Sequence, residues 1–220
     1  MAVSTTPTHE KADHPPAWLD EALRRLFNVA ASSLGLLVLS PILAVIALAV
    51  RLDSPGPVLF RQKRVGRGGA VFDILKFRSM RSDAESVGGQ LTVGADARIT
   101  RTGRFIRAWK LDELPQLINV VRGEMDLVGP RPEVPKYVAM YDEQQREVLT
   151  VRPGITDPAS VEFRSESELM AEHPEPERLY VEEIMPRKLA LNIEYLRRRT
   201  VFSDIGVIFT TVAAVARPRD

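Results

Sequence analysis

The stretch VAASSLGLLVLSPILAVIALAV, Val29 to Val50, decides the fold because it is a long run without a charged side chain. As one straight helix at ~1.5 Å per residue, it is about long enough to cross a bilayer core of ~30 Å. Ser40-Pro41 lies in its middle, and a proline inside a helix removes a backbone donor and clashes with a preceding carbonyl. Basic residues flank the stretch on both sides, whereas a spanning helix usually has its basic excess on one side.

This pattern leaves three interpretations open. The stretch is a kinked single-pass helix, or two half-helices that enter and leave the membrane by the same face, or a buried helix of a soluble protein. Hydropathy alone favours the span. The buried helix is least favoured, because an all-apolar helix needs a larger core than this chain readily builds.

Length and charge narrow the class of protein. The chain has 220 residues and a net charge of +1, enough for one domain or one domain plus an anchor. Its basic excess lies between Arg51 and Arg131, which suits anionic lipid headgroups, phosphates or nucleotides. Nucleic acid is not expected as a partner, since only 6% of residues are aromatic and no nucleic-acid-binding motif is visible.

The chain has no cysteine and three histidines, none of them in the basic middle. Disulfides, thiol catalysis and cysteine-based metal sites are therefore excluded. Histidine triads and histidine metal clusters are not expected either. An enzyme built on this sequence has to use carboxylates, arginine, lysine and a hard metal ion.

Local patterns divide the chain into a disordered N-terminus (1–16), a membrane-associated helical segment (17–50) and a catalytic domain (51–220). Ala17 to Asn28 is an amphipathic helix, suited either to a membrane surface or to an ordinary protein surface. Two β-like segments, Val58–Gly66 and Ala70–Met80, form a predicted hairpin around Arg67-Gly68-Gly69.

The remaining segments read mostly as helices and stiff loops. Ile99–Lys110 is predicted to be a helix with three arginines on one face, and Arg81–Asp96 a loop whose composition permits a lid. Further predicted helices are 111–121, 134–149, 176–199 and 202–216, the last packed on the domain or resting on the membrane surface. The segments 123–132 and 151–158 are predicted to be rigid proline-containing loops.

One constellation suggests chemistry: the carboxylates Asp112-Glu113 among the cations Lys76, Arg78, Arg107, Arg131 and Arg164. An ionised aspartate can attack phosphorus, a neighbouring carboxylate can hold Mg²⁺, and arginines can neutralise a transferred phosphoryl group. The simpler alternative is an acidic pair that favours a helix N-terminus. A basic, lipid-binding membrane protein without catalysis also remains open.

Six motifs in a fixed order resemble the bacterial sugar transferases, monotopic phosphoglycosyl transferases that act on polyprenyl phosphate. They are Leu39-Ser40-Pro41, Asp53–Gly69, Leu75–Met80, Leu111–Val120, Leu127–Glu133 and Val151–Thr156. The resemblance covers roughly Trp18 to Ala216 and looks like the small, single-domain form of the family.

The resemblance implies transfer of a sugar-1-phosphate from a UDP-sugar to undecaprenyl phosphate, with release of UMP through a covalent intermediate. The resemblance makes Asp112 the nucleophile and assigns Glu113 to support Mg²⁺. It also implies that both carboxylates are metal ligands. Arg107 and Arg131 match phosphate- and nucleotide-binding arginines, and Lys76 and Arg78 match basic positions beside the hairpin. The implied location is the cytoplasmic face of the bacterial inner membrane.

The chain departs from the family after Val151–Thr156. Many members continue with Gly-Trp-Ala-Gln-Val-Asn-Gly-Arg, whereas this chain has Asp157-Pro-Ala-Ser-Val-Glu-Phe-Arg164. The final arginine aligns, so Arg164 is a candidate phosphate contact. The changed residues leave the identity of the sugar open.

The expected fold is α+β and mostly helical, a monotopic membrane protein with a small β-hairpin and interfacial helices. The resemblance makes Ser40 and Pro41 the break of a re-entrant helix-break-helix anchor, with the Ser40 hydroxyl serving an exposed carbonyl. Expected partners are a UDP-sugar, undecaprenyl phosphate and membrane lipids, with a homodimer also possible. The alternative function is a non-catalytic, lipid-phosphate-binding scaffold of a glycan-assembly complex. A soluble glycosyltransferase would not need Val29–Val50.

Overall fold

A computed structural model describes residues 17–84, 91, 93–94 and 96–216. The expected disordered N-terminus, 1–16, lies outside the described residues, as does much of the expected lid, 81–96. Within the described residues the chain is mostly helical, with two small two-stranded sheets. The α+β class expected from the sequence is confirmed.

The α-helices are α1 (Ala17–Asp53), α2 (Arg101–Ala108), α3 (Gln116–Arg122), α4 (Pro135–Val138), α5 (Pro158–Glu162), α6 (Glu166–Ala171), α7 (Pro176–Leu179), α8 (Met185–Arg197) and α9 (Val201–Ala216). The strands are β1 (Leu59–Val65), β2 (Val71–Phe77), β3 (Asp126–Val128) and β4 (Gly154–Thr156). Short 3₁₀ turns occupy Arg67–Gly69, Leu111–Glu113 and Gln145–Thr150, and a π-helical turn occupies Tyr180–Ile184.

Helix α1 is the element expected to carry the break at Ser40-Pro41. Its secondary structure stays helical across Pro41 for all 37 residues, so the helix-break-helix arrangement is not confirmed. The Ser40 hydroxyl donates to the carbonyl of Leu37 at 2.7 Å, the carbonyl that Pro41 cannot serve because it has no N–H. This hydrogen bond is the one expected of Ser40, whereas its place at the break of a re-entrant anchor stays a prediction.

Both ends of α1 contact the same folded domain. Near its start, Arg25 donates to the carbonyl of Val120 at 2.6 Å. Near its end, Val50 is buried in a cluster with Phe77 of β2 and Ile106 of α2. Among the described helices, α1 is the one that is long and apolar enough to cross a membrane. Only 11% of its most apolar 18-residue stretch is buried in the molecule.

The predicted hairpin is confirmed. Strands β1 and β2 pair antiparallel, from Leu59 opposite Phe77 to Val65 opposite Val71. The connecting turn contains Gly68 with φ 67°, a backbone conformation that glycine adopts without steric cost.

The second sheet corrects the prediction for the segments 123–132 and 151–158. Both were expected to be loops, and each contains one strand of this sheet. Strands β3 and β4 are parallel, and Gly154 donates its N–H to the carbonyl of Pro130 at 3.0 Å. A Cβ atom on Gly154 would lie 2.1 Å from the backbone nitrogen of Gly129. The two proline-containing segments therefore pack backbone to backbone, which only glycine permits here.

One predicted long helix is corrected and another is refined. The segment 134–149 contains the short helix α4 and a separate 3₁₀ turn instead of one helix. The segment 176–199, expected to be a helix mildly interrupted at Pro186, is helical from Pro176 to Arg197, and its irregular turn is the π-helical Tyr180–Ile184 just before Pro186. Pro186 cannot donate to the carbonyl of Glu182, so the last turn before it need not keep α-helical hydrogen bonding.

The predicted apolar helix near the C-terminus is confirmed as α9. Its buried Asp204 binds Arg24 of α1 at 2.5 Å and Arg199 at 2.9 Å. Its opposite side exposes Phe202 and Phe209. The buried ion pairs fix the start of α9 against both the start of α1 and the domain.

Candidate active site

Asp112 and Glu113 lie in the 3₁₀ turn between α2 and α3, and both are buried, with 5% and 8% of their surface exposed. Helix α3 begins only after Pro115, its N-cap. The expected helix start at Leu111 is therefore wrong, and the carboxylates do not cap α3. Lys110, directly before the turn, has φ 54°, a conformation that costs energy for a residue with a Cβ and that recurs at functional sites.

Two cationic side chains contact the Glu113 carboxylate. Arg131 binds it with two parallel hydrogen bonds, Nη2 to Oε1 at 2.5 Å and Nη1 to Oε2 at 3.1 Å. Lys76 lies 3.3 Å from Oε1. A bidentate arginine–carboxylate pair fixes both the distance and the plane of the carboxylate. Three of the predicted site residues are thus brought together.

The electrostatics separate the two carboxylates. Burial disfavours the charged form of Glu113, but Arg131 and Lys76 outweigh it and hold the pKa of Glu113 well below its usual range. Burial and the neighbouring Glu113 charge raise the pKa of Asp112, although Lys76 and Arg107 oppose the rise. Burial also lowers the pKa of Lys76 to about 8. Glu113 is therefore a fixed anion, whereas the proton affinity of Asp112 is raised.

Asp112 has an oxygen that the fold leaves unengaged. Its buried Oδ1 atom has no hydrogen-bond partner among the described residues. A buried polar atom without a partner is costly and marks a place where a ligand, water or ion belongs. Arg107 of α2 acts on Asp112 through its charge. Asp112 is thus the group in this pair free to react or to bind.

Arg131 projects from a doubly braced loop. Its neighbour Gly129 donates to the carbonyl of Thr156 at 3.0 Å, across the β3–β4 contact. On the other side, Glu133 binds Arg64 at 3.0 Å and accepts a short hydrogen bond from the Tyr180 hydroxyl. This brace could not be predicted from the sequence, since Arg64 and Glu133 are far apart in the chain and their residue types alone carry no signal.

A cavity of about 710 Å³ opens beside the pair, with Glu113 and Arg131 in its wall. Arg164 also lines it and donates to the carbonyl of Ala214 in α9 at 3.1 Å. The predicted residue Arg164 is therefore at the site. Lys110 lines the cavity too, and the sequence analysis overlooked it although it directly precedes the carboxylate pair.

Arg78 is the predicted site residue that the structure places elsewhere. It is buried, and its guanidinium donates to the carbonyls of Val50 and Ser54 at 3.2 and 2.6 Å. Strand β2 ends at Phe77, and Arg78 turns toward the end of α1 instead of continuing along the hairpin face. Among its described contacts Arg78 therefore holds α1 in place and does not face the carboxylates.

Metal ligands were expected at Asp112 and Glu113. Within the part of the chain that the structure describes, no group of three or more His, Cys, Asp or Glu side chains could hold a metal ion. The pair fits Mg²⁺ only with oxygens from a substrate, since Mg²⁺ usually takes one or two carboxylates plus phosphates and water. The unengaged Oδ1 of Asp112 is consistent with that arrangement.

Comparison with known proteins identifies one family, and the names of the similar proteins agree with that family. The model of the bacterial sugar transferase family matches residues 19–218. The undecaprenyl-phosphate glucose phosphotransferase of Komagataeibacter xylinus is 41% identical over 196 residues, 86% of this chain and 35% of the relative. The UDP-glucose:undecaprenyl-phosphate glucose-1-phosphate transferase of Escherichia coli K12 is 38% identical, over 91% of this chain and 41% of the relative.

A third relative has nearly the same length. The exopolysaccharide production protein PSS of Rhizobium leguminosarum bv. phaseoli is 36% identical, over 89% of this chain and 96% of the relative. The chain thus spans well under half of the first two relatives and almost all of the third. Since the family model covers nearly the whole chain, the protein belongs to the bacterial sugar transferase family.

Proposed function

We propose that this protein is a phosphoglycosyl transferase that moves a sugar-1-phosphate from a UDP-sugar to undecaprenyl phosphate and releases UMP. The observation that carries the proposal is the buried Asp112, whose Oδ1 has no partner among the described residues, beside a Glu113 held by Arg131. Family membership and the relatives' names support the same class of reaction. Nothing in the site favours the scaffold alternative.

The reaction has two steps. An Asp112 oxygen attacks the sugar-bearing phosphorus of the UDP-sugar, and the bond from that phosphorus to the bridging oxygen breaks, so UMP leaves with the electron pair. An oxygen of undecaprenyl phosphate then attacks the same phosphorus and the bond to Asp112 breaks, which restores the carboxylate. One pocket can serve both substrates in turn.

The cations of the site have separate roles. Arg131 is already paired with Glu113, so its guanidinium is held at a fixed orientation toward arriving phosphate. Arg107 and Arg164 add positive charge where the transferred phosphoryl group gathers negative charge. Asp112 and Glu113 would hold Mg²⁺, which neutralises the diphosphate of the donor when bound.

The protein is proposed to act from the cytoplasmic face of the bacterial inner membrane, with α1 as a re-entrant, monotopic anchor. The attachment of both ends of α1 to one domain supports this topology. A span that placed residues 17–28 across the membrane would separate Arg24 from Asp204 and Arg25 from Val120, and both contacts are made in the fold. The apolar exposed middle of α1, including Leu37, Val38 and Val45, is the part that would enter the lipid.

The test is UMP release by the detergent-purified protein with undecaprenyl phosphate, Mg²⁺ and a panel of UDP-sugars. The variant Asp112→Asn is expected to lose activity by ~10⁴-fold or more, the cost of removing a nucleophile. The matched control is Asp73→Asn, since Asp73 pairs with Lys63 on the exposed hairpin and should keep turnover within about twofold.

A second measurement addresses the covalent step. Intact-protein mass spectrometry after incubation with UDP-sugar alone should show a sugar-phosphate adduct on the unsubstituted protein and none on Asp112→Asn. Turnover by Asp112→Asn at the control rate refutes the nucleophile. No UMP release by the unsubstituted protein with any donor refutes the catalytic proposal.

A further inference from the structure

We propose, on the basis of the function above, that the 710 Å³ cavity holds the first isoprene units of the acceptor lipid and not the nucleoside of the donor. In this arrangement α9 forms the wall of the cavity that contacts the lipid chain and determines which chain fits. The proposal rests on three features of the cavity: its apolar walls, the engagement of its hydroxyl groups, and its position between two exposed apolar surfaces.

The walls of the cavity are mostly apolar and include a few charged side chains. Its volume is within the range of ligand pockets, ~300–1,000 Å³. The apolar lining comes from three helices, with Leu39 of α1, Leu114 and Leu117 around the start of α3, and Ile208, Val212 and Val215 of α9. The charged side chains in the lining are Lys110, Glu113, Arg131 and Arg164. This is the chemistry of an amphiphile, a phosphate joined to a hydrocarbon chain.

The hydroxyl groups in the wall are already engaged. Thr156 and Thr211 hydrogen-bond each other at 2.6 Å, and Ser160 donates its hydroxyl to Asp157. Uracil and ribose carry several donors and acceptors, and burying them without partners is costly. A hydrocarbon chain has no such demand, so the cavity fits the lipid better than the nucleoside.

The cavity lies between surfaces that would face lipid. Leu39 in its wall is next to the exposed Val38 of α1, and Val212 is itself largely exposed on α9. A chain could therefore pass between α1 and α9 without its hydrocarbon crossing water. An aqueous nucleotide has no comparable reason to enter on this side.

Three contacts fix the position of α9 relative to the carboxylate site. Arg164 donates to the carbonyl of Ala214, and Thr211 is bonded to Thr156 at the end of β4. The buried Asp204 fixes the start of the helix. The distance from the apolar wall to the charged side chains is therefore set by the fold.

The experiment compares two tryptophan substitutions at neighbouring positions of α9 that lie about 100° apart around the helix axis. Ile208→Trp fills the cavity, whereas Phe209→Trp changes the exposed side of the same helix. For Ile208→Trp we expect KM for undecaprenyl phosphate to rise by ~10-fold or more, because extra volume in a filled site costs binding. KM for the UDP-sugar and the UMP burst without acceptor should be unchanged, and Phe209→Trp should match the unsubstituted protein in all three.

The outcomes separate the two proposals. A raised KM for UDP-sugar, or a lost acceptor-free burst in Ile208→Trp, means that the cavity serves the donor and overturns the inference. Equal acceptor KM values in Ile208→Trp and Phe209→Trp also overturn it. Absence of UMP release from the unsubstituted protein refutes the proposed function instead, and the cavity is then tested by binding.

The binding test uses Trp109, which lines the cavity. The chain has two tryptophans, so Trp18→Phe leaves Trp109 as the single emitter. Undecaprenyl phosphate added in detergent should shift its emission to shorter wavelength, whereas UDP-sugar and inorganic phosphate should not. A shift with UDP-sugar and none with undecaprenyl phosphate refutes the assignment.

Discussion

Arg131 holds both carboxylate oxygens of Glu113, with Nη2 2.5 Å from Oε1 and Nη1 3.1 Å from Oε2. The pair joins the 3₁₀ turn of the carboxylates to the loop after β3, two segments that no secondary structure connects. The position of Asp112 therefore depends on a contact made by its neighbour.

The first prediction concerns this contact. Arg131→Lys keeps the charge but loses the two parallel hydrogen bonds, and we expect kcat/KM for UMP release to fall by ~10²-fold, as for a buried charge pair that loses its geometry. The control is Arg122→Lys at the exposed end of α3, which should leave the rate unchanged. Equal rates for the two variants would show that charge alone suffices at Arg131.

The second prediction concerns the contact between the two proline-containing segments. Gly154→Ala would place a Cβ atom 2.1 Å from the nitrogen of Gly129. We expect a loss of ~1–3 kcal/mol in the free energy of unfolding, the usual cost of overpacking, together with weaker activity because the frame of Arg131 shifts.

Gly206→Ala is the matched control for that substitution. Gly206 lies in α9 and its Cβ position is open, so alanine there should stabilise by ~0.5–1 kcal/mol through helix propensity. Thermal unfolding in detergent measures both variants. A Gly154→Ala protein that unfolds at the temperature of the unsubstituted protein would show that the two backbones can separate without cost.

The third prediction is a pH dependence carried by tyrosine. Burial and the Asp204 hydrogen bond raise the pKa of Tyr195 to about 12, and burial raises the pKa values of Tyr137, Tyr141 and Tyr180 as well. Because the folded-state pKa exceeds the unfolded value, each tyrosine contributes stability that is complete below pH ~10 and is lost as pH rises through the folded pKa.

Alkaline titration followed at 295 nm tests this. Near pH ~11 the folded protein should show little tyrosinate absorbance, whereas the denatured protein should show nearly all of it. Tyr195→Phe should reduce the alkaline loss of stability. Tyrosinate absorbance that develops below pH ~10 without loss of helical circular dichroism would contradict the burial of these hydroxyls.

The fourth prediction concerns the topology of α1. The chain has no cysteine, so Glu10→Cys introduces a unique label site near the N-terminus. With both ends of α1 on one domain, an impermeant maleimide added to intact cells should not label this cysteine, and added to inverted membrane vesicles it should. Labelling in intact cells would establish a span. Asp142→Cys, at an exposed position of the folded domain, serves as the control for the side of the membrane on which the domain lies.

Local sequence patterns predicted the helices and strands that form through contacts between residues close together in the chain. The two β-like segments in Val58–Met80 predicted the hairpin, the spacing of three arginines predicted α2, and the apolar run predicted α9. The parallel pair β3–β4 could not be predicted in this way, because it joins two proline- and glycine-containing segments far apart in the chain. Its partners are set by tertiary packing.

The same limit applies to the site. The pattern of two acids among bases identified Asp112, Glu113, Lys76 and Arg131, which the fold brings together. The pattern did not show which cation binds which acid. It also included Arg78, which follows the last residue of strand β2 and binds the end of α1 instead of facing the carboxylates. The left-handed backbone of Lys110 and the brace from Glu133 depend on contacts between distant segments, for which a single sequence carries no local signal.

Under the proposed function, the attachment of α1 at both ends would also determine how the protein meets its acceptor. A domain held by one flexible tether can swing to different heights above a lipid surface. Here Arg24 and Arg25 attach one end of α1 to the domain and Val50 attaches the other, so the proposed anchor would hold Asp112 at a constant depth in the membrane. The encounter with the lipid phosphate would then be two-dimensional, because lateral diffusion alone would bring the phosphate to the carboxylate.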